Sequence, residues 1–343
     1  MRRWQPRARF ATASPRVSLT DVDSLELVRA NLLSPMVLAF LLGIFATLAR
    51  SDLRIPEDLY SALSIYLLLA IGLKGGAALS ETTLAAFWRP GLATLALGVS
   101  VPLWCYAALR RLGGFSVADA AALAAHYGSV SAVTFIASLA FLDAVGVRPE
   151  GFLPALVAVL EVPAIVLALL IARRHRGASE GGWSEALREI VTGKSIVLLL
   201  GGLAIGFASG ARGIAEVKPF FVDPFKGALC LFLLEMGMTA ARRFRDLPKV
   251  GAFLFAFAIA APIANGALGV AIGTLAGLSL AGATVLGAMS ASASYIAAPA
   301  AVRVGIPEAN PAFYLTASLA ITFPFNLTIG IPLYYAMAQW MQR

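Results

Sequence analysis

Charged residues are scarce in this chain. Only 13% of its 343 residues are Asp, Glu, Lys or Arg, and the mean hydropathy is +0.82. A soluble domain of this size carries about a quarter charged residues, so the composition excludes an ordinary soluble fold. The hydrophobic residues, 59% of the chain, come in long blocks, several of which reach the ~20 residues that cross a ~30 Å hydrocarbon core. The pattern predicts an all-α integral membrane protein.

Cysteine and phosphate-loop motifs are equally sparse. The two cysteines, Cys105 and Cys230, both lie in apolar blocks, which excludes a disulfide framework and gives no metal site beyond a possible Na⁺. No segment completes the Gly-x4-Gly-Lys-Ser/Thr pattern of a phosphate loop, so we expect neither an enzyme nor a cofactor, and uphill transport would need an ion gradient. The net charge of +8 does not indicate nucleic acid, because Lys and Arg in membrane-protein loops set orientation.

The first 30 residues contain no long apolar run. They hold six arginines with Ser, Thr and Pro, and the 7–15-residue apolar core of a signal peptide is missing. We expect residues 1–30 to be a disordered tail, or an extraneous one from a start codon placed too early. An amphipathic segment on the membrane surface is the weaker alternative.

The apolar blocks predict about ten membrane-spanning helices. They are residues 33–49, 57–77, 87–109, 117–142, 151–173, 195–210, 217–240, 250–274, 279–302 and 311–338. The longest connection, 174–194, divides the chain into a first half, 31–173, and a second half, 195–343, with five spans each.

The two halves share weak sequence similarity. Gly128-Ser-Val-Ser131 and Gly287-Ala-Met-Ser290 lie 159 residues apart, and Ile71-Gly-Leu73 is similar to Met236-Gly-Met238. Because five is an odd number, a duplicated half must insert upside down. The expected architecture is therefore a five-plus-five inverted repeat, an arrangement common in secondary transporters. Chance similarity between apolar helices is the alternative.

Loop charges predict the orientation. The loops after the odd-numbered spans hold 14 Lys and Arg residues, and the other loops with the C-terminus hold five. The positive-inside rule then places the 174–194 linker in the cytoplasm and both termini outside, in the periplasm of a bacterial inner membrane. The six arginines of the tail oppose this assignment.

The most polar stretches inside the predicted spans are two serine clusters. Breaks in helices expose N–H groups that suit an anion and carbonyl groups that suit Na⁺, so two such breaks crossing at the midplane would enclose a small polar site. The predicted substrate-binding residues are Gly128, Ser129, Ser131, Thr134, Ser290, Ser292, Ser294 and Tyr295. Close helix packing is the alternative for any single serine. His126 could titrate or cap a break, or could be hydrogen-bonded structure.

Four further polar residues lie within spans. Glu161 precedes Pro163, whose missing N–H frees a carbonyl one turn back, and this pairing would suit a cation. Asn326 is a second candidate Na⁺ ligand, or a brace for the last helix. Lys74 lies two residues after Gly72, and Glu235 lies two residues before the equivalent Gly237, so repeat symmetry is expected to bring them together as an ion pair.

Seven segments together resemble the sodium-dependent bicarbonate transporter family, first known from cyanobacteria. They are Ser34–Gly43, Ile71–Gly76, Gly128–Ser131, Glu161–Pro163, Met236–Met238, Ser292–Pro299 and Val304–Pro311. The resemblance covers about residues 31–340. It implies an inverted repeat of five plus five helices, a homotrimer, uptake of bicarbonate with Na⁺ where two broken helices cross, and a small cytoplasmic regulatory protein.

The chain departs from the family pattern at the site. After the second serine cluster the cyanobacterial pattern is like Ser-Asp-Ile-Ser-Gly-Pro-Pro, whereas this chain reads Ser294-Tyr-Ile-Ala-Ala-Pro-Ala300. The first cluster has Ala132-Val133 where a Gly-Ser pair is typical, and the central loop is shorter. These departures bear on the substrate, on the sodium count and on the regulatory partner.

Three functions are consistent with the sequence. The first is a Na⁺-coupled symporter of bicarbonate or a similar small anion. The second is a transporter of an organic anion on the same architecture, which the missing carboxylate beside Tyr295 favours. The third is a membrane sensor with a cytoplasmic partner, although no signalling domain is visible.

Overall fold

The computed structural model describes residues 24–176, 188 and 191–343, and within them every regular element is helical. The helices are α1 (Ser24–Leu32), α2 (Pro35–Leu48), α3 (Glu57–Ser80), α4 (Leu84–Arg111), α5 (Val117–Gly128), α6 (Ala132–Ala144), α7 (Leu153–Arg176), α8 (Lys194–Phe221), α9 (Phe225–Arg243), α10 (Leu247–Leu275), α11 (Leu280–Ala291), α12 (Ala297–Gly305) and α13 (Pro311–Met341).

Among the described residues, seven helical stretches are long and apolar enough to cross a membrane. They are Glu57–Ser80, Leu84–Arg111, Val117–Ala144, Leu153–His175, Lys194–Phe221, Phe225–Leu275 and Pro311–Met341. Two shorter apolar helices, Pro35–Leu48 and Leu280–Ala291, add to them. The chain is therefore a helical, multi-pass membrane protein.

Two helix boundaries differ from those expected from the sequence. The tail predicted for 1–30 ends earlier, because helix α1 begins at Ser24 and buries Leu27; residues 1–23 lie outside the described part. The spans predicted for 195–210 and 217–240 also differ. Helix α8 continues to Phe221 through a kink at Gly210, whose φ of 59° is a conformation that glycine adopts without strain.

Serine caps determine where several helices start. Ser116 and Ser279, 163 residues apart, precede α5 and α11, and their hydroxyls accept hydrogen bonds from the N–H groups of Asp119 and Gly282. Each bond satisfies one of the N–H groups that a helix start leaves without a partner. Side chains then link each start to a distant loop: Asp119 accepts from the Asn310 N–H at 2.8 Å, and Glu150 accepts from the Ser279 N–H at 2.6 Å.

Four helices pack together through glycine. Helix α3 lies against α8, where a Cβ added at Gly72 would be 2.9 Å from the Cα of Gly202. Helix α2 lies against α9, where a Cβ at Gly43 would be 3.0 Å from the backbone N of Met238. Only glycine allows backbones to approach this closely in a membrane. We call α2, α3, α8 and α9 the first helix group.

The remaining long helices form a second helix group, α4 to α7 with α10 to α13. In it α4, α5 and α7 pack on one another, and α10, α11 and α13 do the same. The stretch from Val117 to Ala144 is almost entirely buried between these neighbours. A spanning segment with so little lipid contact can tolerate polar residues, because protein atoms rather than lipid surround them.

Helix α13 departs from α-helical geometry. It contains two π-helical stretches, Thr316–Thr322 and Asn326–Gly330, on either side of Pro324. π-Helical turns leave backbone groups displaced from the ordinary ladder and occur often at functional sites. Here they bring Thr322 and Asn326 toward the centre of the second helix group.

Candidate functional site

The first polar junction separates α5 from α6. Helix α5 ends at Gly128, Ser129 and Ser131 are extended, and α6 starts at Ala132 with the Ser131 hydroxyl accepting from the Thr134 N–H at 3.2 Å. We call residues 129–131 the first junction. Gly128 is needed here for space, because a Cβ would lie 2.7 Å from carbons of Ala164 and Pro102.

The second junction, residues 292–296, separates α11 from α12. The Ser292 hydroxyl donates to the Met289 carbonyl at 2.7 Å, and the Ser294 hydroxyl accepts from the Ala298 N–H at 3.2 Å. Gly287 and Ser290, expected within this break, lie instead inside α11, and the Ser290 hydroxyl donates to the Leu286 carbonyl at 2.8 Å. Gly287 provides packing space, since a Cβ there would be 3.0 Å from the Gly266 carbonyl oxygen.

The two junctions bond directly to each other. The Ser131 N–H donates to the Ser292 hydroxyl oxygen at 2.8 Å, and the Ser294 N–H donates to the His126 carbonyl at 2.8 Å. All these residues are buried, with Ser292 at 0% and Ser131 at 4% exposure. Hydroxyl groups and the start of helix α6 therefore meet at one point inside the protein.

Tyr295 lies at the same point. Its ring packs edge-on against Phe323 at 5.3 Å between centroids, and its buried hydroxyl forms no hydrogen bond of normal geometry within the described residues. The Ser131 side chain interacts with this hydroxyl, although not in the geometry of a normal hydrogen bond. A buried hydroxyl without a regular partner is free to donate to a ligand, because leaving such a group unpaired costs free energy.

His126 lies just before the first junction. Its Nδ1 is 2.7 Å from the Ala122 carbonyl, which fixes Nδ1 as the protonated nitrogen, and its ring packs on Tyr314. Its Nε2 is buried without a hydrogen-bond partner in the described part of the chain.

Glu161 is a buried carboxylate beside the first junction. The Ser129 hydroxyl donates to its backbone carbonyl at 3.2 Å, and its side chain is 5% exposed. Within the described residues no side chain donates to the carboxylate and no cation pairs with it. A carboxylate at membrane depth is expensive without a partner, so the position suits a cation.

Asn326 contacts the second junction from α13. Its Nδ2 donates to the carbonyl of Ala291, the last residue of α11, at 2.8 Å, and its Oδ1 accepts from the Tyr334 hydroxyl at 2.8 Å. The amide thus braces the end of α11. Glu161 and Asn326 contact different junctions, and no hydrogen bond joins them in the described structure.

The expected Lys74–Glu235 ion pair is absent. Glu235 pairs with Arg242 at 2.5 Å, whereas the Lys74 ammonium lies over the Phe225 ring at 5.6 Å from its centroid. The cause is the antiparallel packing of α3 and α9, which brings Lys74 level with the start of α9. Glu235 lies ten residues further along, about 15 Å at 1.5 Å per residue.

Three buried contacts had no signal in the sequence. The Tyr127 hydroxyl lies 2.7 Å from the Thr322 hydroxyl, which donates to the Ala258 carbonyl. Asn31 donates to the carbonyl oxygens of Leu327 and Thr328 in the second π-helical stretch of α13. Single polar residues in apolar segments do not indicate which distant carbonyl they meet.

The two junctions and their neighbours provide hydrogen-bond donors and one unpaired carboxylate. In the described chain no three His, Cys, Asp or Glu side chains lie close enough to hold a metal ion. Hydroxyl groups and helix starts bind anions, and a lone carboxylate with carbonyl oxygens binds Na⁺. The fold and this arrangement define a multi-pass membrane protein in which two polar junctions meet in the interior.

The chain belongs to the Na⁺-dependent bicarbonate transporter superfamily, whose family profile matches residues 35–339. This confirms the resemblance noted in the sequence. The family identifies a membrane transporter rather than an enzyme, and implies Na⁺-dependent transport of bicarbonate, with sodium as the coupling ion. No curated protein matches the chain.

Proposed function

We propose that the protein is a secondary active transporter that couples Na⁺ to the uptake of bicarbonate, or a similar small anion, across the bacterial inner membrane. The observation that carries the proposal is the reciprocal bonding of the two junctions, from Ser131 to Ser292 and from Ser294 to His126. It gathers hydroxyl groups and a helix start at one buried point, and these groups suit a small anion.

The proposed architecture has ten spans in an inverted repeat. Helices α2, α3, α4, α5–α6 and α7 form one half, and α8, α9, α10, α11–α12 and α13 form the other. Matched features support it, because three pairs lie 163 residues apart: the helix starts Leu84 and Leu247, the caps Ser116 and Ser279, and the helix ends Gly128 and Ala291. With this offset of 163 residues, Ser129-Val-Ser131 is equivalent to Ser292-Ala-Ser294. The sequence similarity between the halves had indicated an offset of 159 residues instead.

Helix pairing supports the same proposal. If α2 is equivalent to α8 and α3 to α9, then the α2–α9 contact becomes the α8–α3 contact under the repeat symmetry. Both contacts exist, and both use glycine for close approach. The links from Asp119 to Asn310 and from Glu150 to Ser279 are related in the same way, each joining a helix start to the loop before the other half's last helix.

The anion is proposed to bind where the two junctions cross near the midplane. Ser131 and Ser292 face each other there, and the Tyr295 hydroxyl can donate to a ligand. Gly128 allows close packing beside the first junction, the Thr134 N–H holds the Ser131 hydroxyl in place, and Ser129, Ser290 and Ser294 complete the predicted set. Ser290 is the weakest member, because its hydroxyl is bonded within its own helix.

Sodium is proposed to bind at Glu161. The Glu161 carboxylate is buried, and within the described residues neither a cation nor a hydrogen-bond donor contacts it, which supports this role. The Ser129 hydroxyl links the Glu161 backbone to the first junction. Asn326 acts as a brace in this structure, although Oδ1 retains a lone pair for a cation. Because the Na⁺ site adjoins the first junction, binding of either ion raises the affinity for the other.

An organic anion is the second candidate substrate. The observation that favours it is Tyr295, a hydroxyl beside a second aromatic ring at the position where the family pattern has a carboxylate. The homotrimer, the cytoplasmic regulatory protein and the periplasmic termini stay predictions.

The test is uptake of labelled bicarbonate by liposomes containing the purified protein, with an inward Na⁺ gradient and with K⁺ replacing Na⁺. We expect uptake to require Na⁺. Bicarbonate uptake that is indifferent to Na⁺ would refute the coupling. Na⁺-driven uptake of an organic anion, without bicarbonate uptake, would select the second candidate.

A further inference from the structure

A cluster of charged residues lies far from the two junctions, where α3 and α6 end and α9 begins. It contains Lys74 of α3, Asp143 of α6, Arg148 of the following loop and Lys226 of α9, and we call it the rim cluster. Lys226 and Asp143 form a direct ion pair, and Lys74 and Arg148 both interact electrostatically with Asp143. Three cations thus surround one carboxylate.

Lys74 has no carboxylate of its own within the described structure. Its ammonium lies over the Phe225 ring, yet Lys74 belongs to a helix that is apolar enough to span the membrane. A lysine in such a helix is retained where it faces a partner or water. All four side chains of the rim cluster are exposed on the surface of the protein.

The rim cluster joins the two helix groups. Lys74 and Lys226 belong to the first group, and Asp143 and Arg148 to the second. Any movement of one group against the other would change the distances within the cluster.

Helix α6 connects the rim cluster to the proposed anion site. It starts at the first junction and ends at Ala144, beside Asp143, about 18 Å away at 1.5 Å per residue. A cavity of about 60 Å³ lies along this helix, lined by Ala137, Ala140 and Ala144 and, from α2, by Val37. Small side chains therefore leave unfilled space on the helix that leads from the rim cluster to the junction.

We propose that Lys74, Arg148 and Lys226 form an anion-collecting rim on the transport route, and that Asp143 partly neutralises it. This inference rests on the proposed function. Excess positive charge at the entrance of a transport route raises the local concentration of anions and lowers that of Na⁺. The positive-inside assignment puts this face outside, where uptake starts.

The test compares single-charge variants in bicarbonate uptake, at saturating Na⁺ and low ionic strength. Lys74→Gln should raise the half-saturating bicarbonate concentration about two- to fourfold, because one charge about 5–8 Å from an anion at the rim changes the local anion concentration by that factor in water. Asp143→Asn should lower that concentration by a similar factor. Lys218→Gln is the control, because Lys218 lies at the end of α8 on the same face, outside the cluster.

The opposite signs separate electrostatics from structural damage, since a disturbed fold would impair both variants. Raising the ionic strength with an inert salt should shrink both shifts, because ~0.5 M salt screens exposed charges beyond about 4–5 Å. Shifts in the same direction, or no shift with Lys74→Gln, would overturn the inference.

Anionic lipid headgroups are the other source of negative charge that Lys74 could meet. If the half-saturating bicarbonate concentrations of the variants shift equally in liposomes of neutral lipid, the rim cluster acts on the transported anion. Shifts that occur only with anionic lipid would overturn the inference. If the wild-type protein shows no Na⁺-dependent bicarbonate uptake, the proposed function fails. If it transports normally and the variants match it, only the rim is refuted.

Discussion

At the scale of single residues, the site is distinguished by buried polar groups that lack partners among the described residues. The Tyr295 hydroxyl and the Glu161 carboxylate are both buried, and neither has a hydrogen bond of normal geometry within the described residues. Such groups cost free energy in the empty protein and regain it when a ligand binds. The two side chains would serve different ligands, one as a donor to an anion and the other as a ligand to Na⁺.

Tyr295→Phe tests the donor. The substitution keeps the ring against Phe323 and removes only the hydroxyl, so the thermal unfolding midpoint should stay within about a degree of wild type. The half-saturating bicarbonate concentration should rise about tenfold or more, because hydrogen bonds to charged groups contribute about 1.5–3 kcal/mol. A lower midpoint with unchanged uptake would show that the hydroxyl is structural.

Glu161→Gln tests the cation site. Glutamine keeps the shape and removes the charge, so the half-saturating Na⁺ concentration should rise about tenfold or more, as expected for losing a charged ligand in a low-dielectric site. At saturating Na⁺ the maximal bicarbonate uptake should change less. Equal Na⁺ dependence in variant and wild type would contradict a Na⁺ role for this carboxylate.

At the scale of elements, two glycines show which helix breaks can be predicted from the sequence and which cannot. Gly128 and Gly287 look equivalent in the sequence, each with a serine three residues on. In the structure Gly128 ends a helix, whereas Gly287 lies inside α11 and makes room for Gly266 and Val270. A single sequence cannot separate a glycine that ends a helix from one that packs it, because both lack a side chain.

The predicted Lys74–Glu235 pair failed for a related reason. The two residues lie on equivalent helices, α3 and α9, but these helices run antiparallel where they contact, so Lys74 lies level with Phe225 and Glu235 lies further along α9. Sequence similarity between the halves predicts which residues are equivalent, but it does not predict which residues contact each other. By contrast, the first junction falls within the predicted stretch 128–134, because Gly-Ser-x-Ser in an apolar helix is a local signal.

Close packing of α3 on α8 can be tested with two glycines of one helix. A Cβ at Gly206 would lie 2.9 Å from the carbonyl carbon of Leu73 and 3.0 Å from the Ala77 nitrogen, whereas a Cβ at Gly201 meets nothing within 4 Å. Gly206→Ala should therefore destabilise the protein by about 1–3 kcal/mol. Gly201→Ala is the matched control and should unfold at or slightly above the wild-type temperature in detergent. Equal midpoints for the two variants would contradict the packing.

At the scale of the whole molecule, the charges of the loops predict how the chain crosses the membrane. Loop charges place the α2–α3 connection inside and the α3–α4 connection outside. In a Cys230→Ser background, a membrane-impermeant maleimide should label Glu81→Cys in intact cells and Ser51→Cys only after permeabilisation. Both positions are exposed, and Cys105 is buried and should not react. The opposite labelling pattern would invert the topology.

The anion is proposed to bind where the two junctions meet, and a pair of buried serines tests this site. Ser131 lies in the first junction and caps α6, whereas Ser138 lies within α6 and its hydroxyl donates to the Phe135 carbonyl. Na⁺-driven bicarbonate uptake by liposomes should fall about tenfold or more for Ser131→Ala, with Ser138→Ala close to wild type. Equal uptake by both variants, with both correctly folded, would contradict the account.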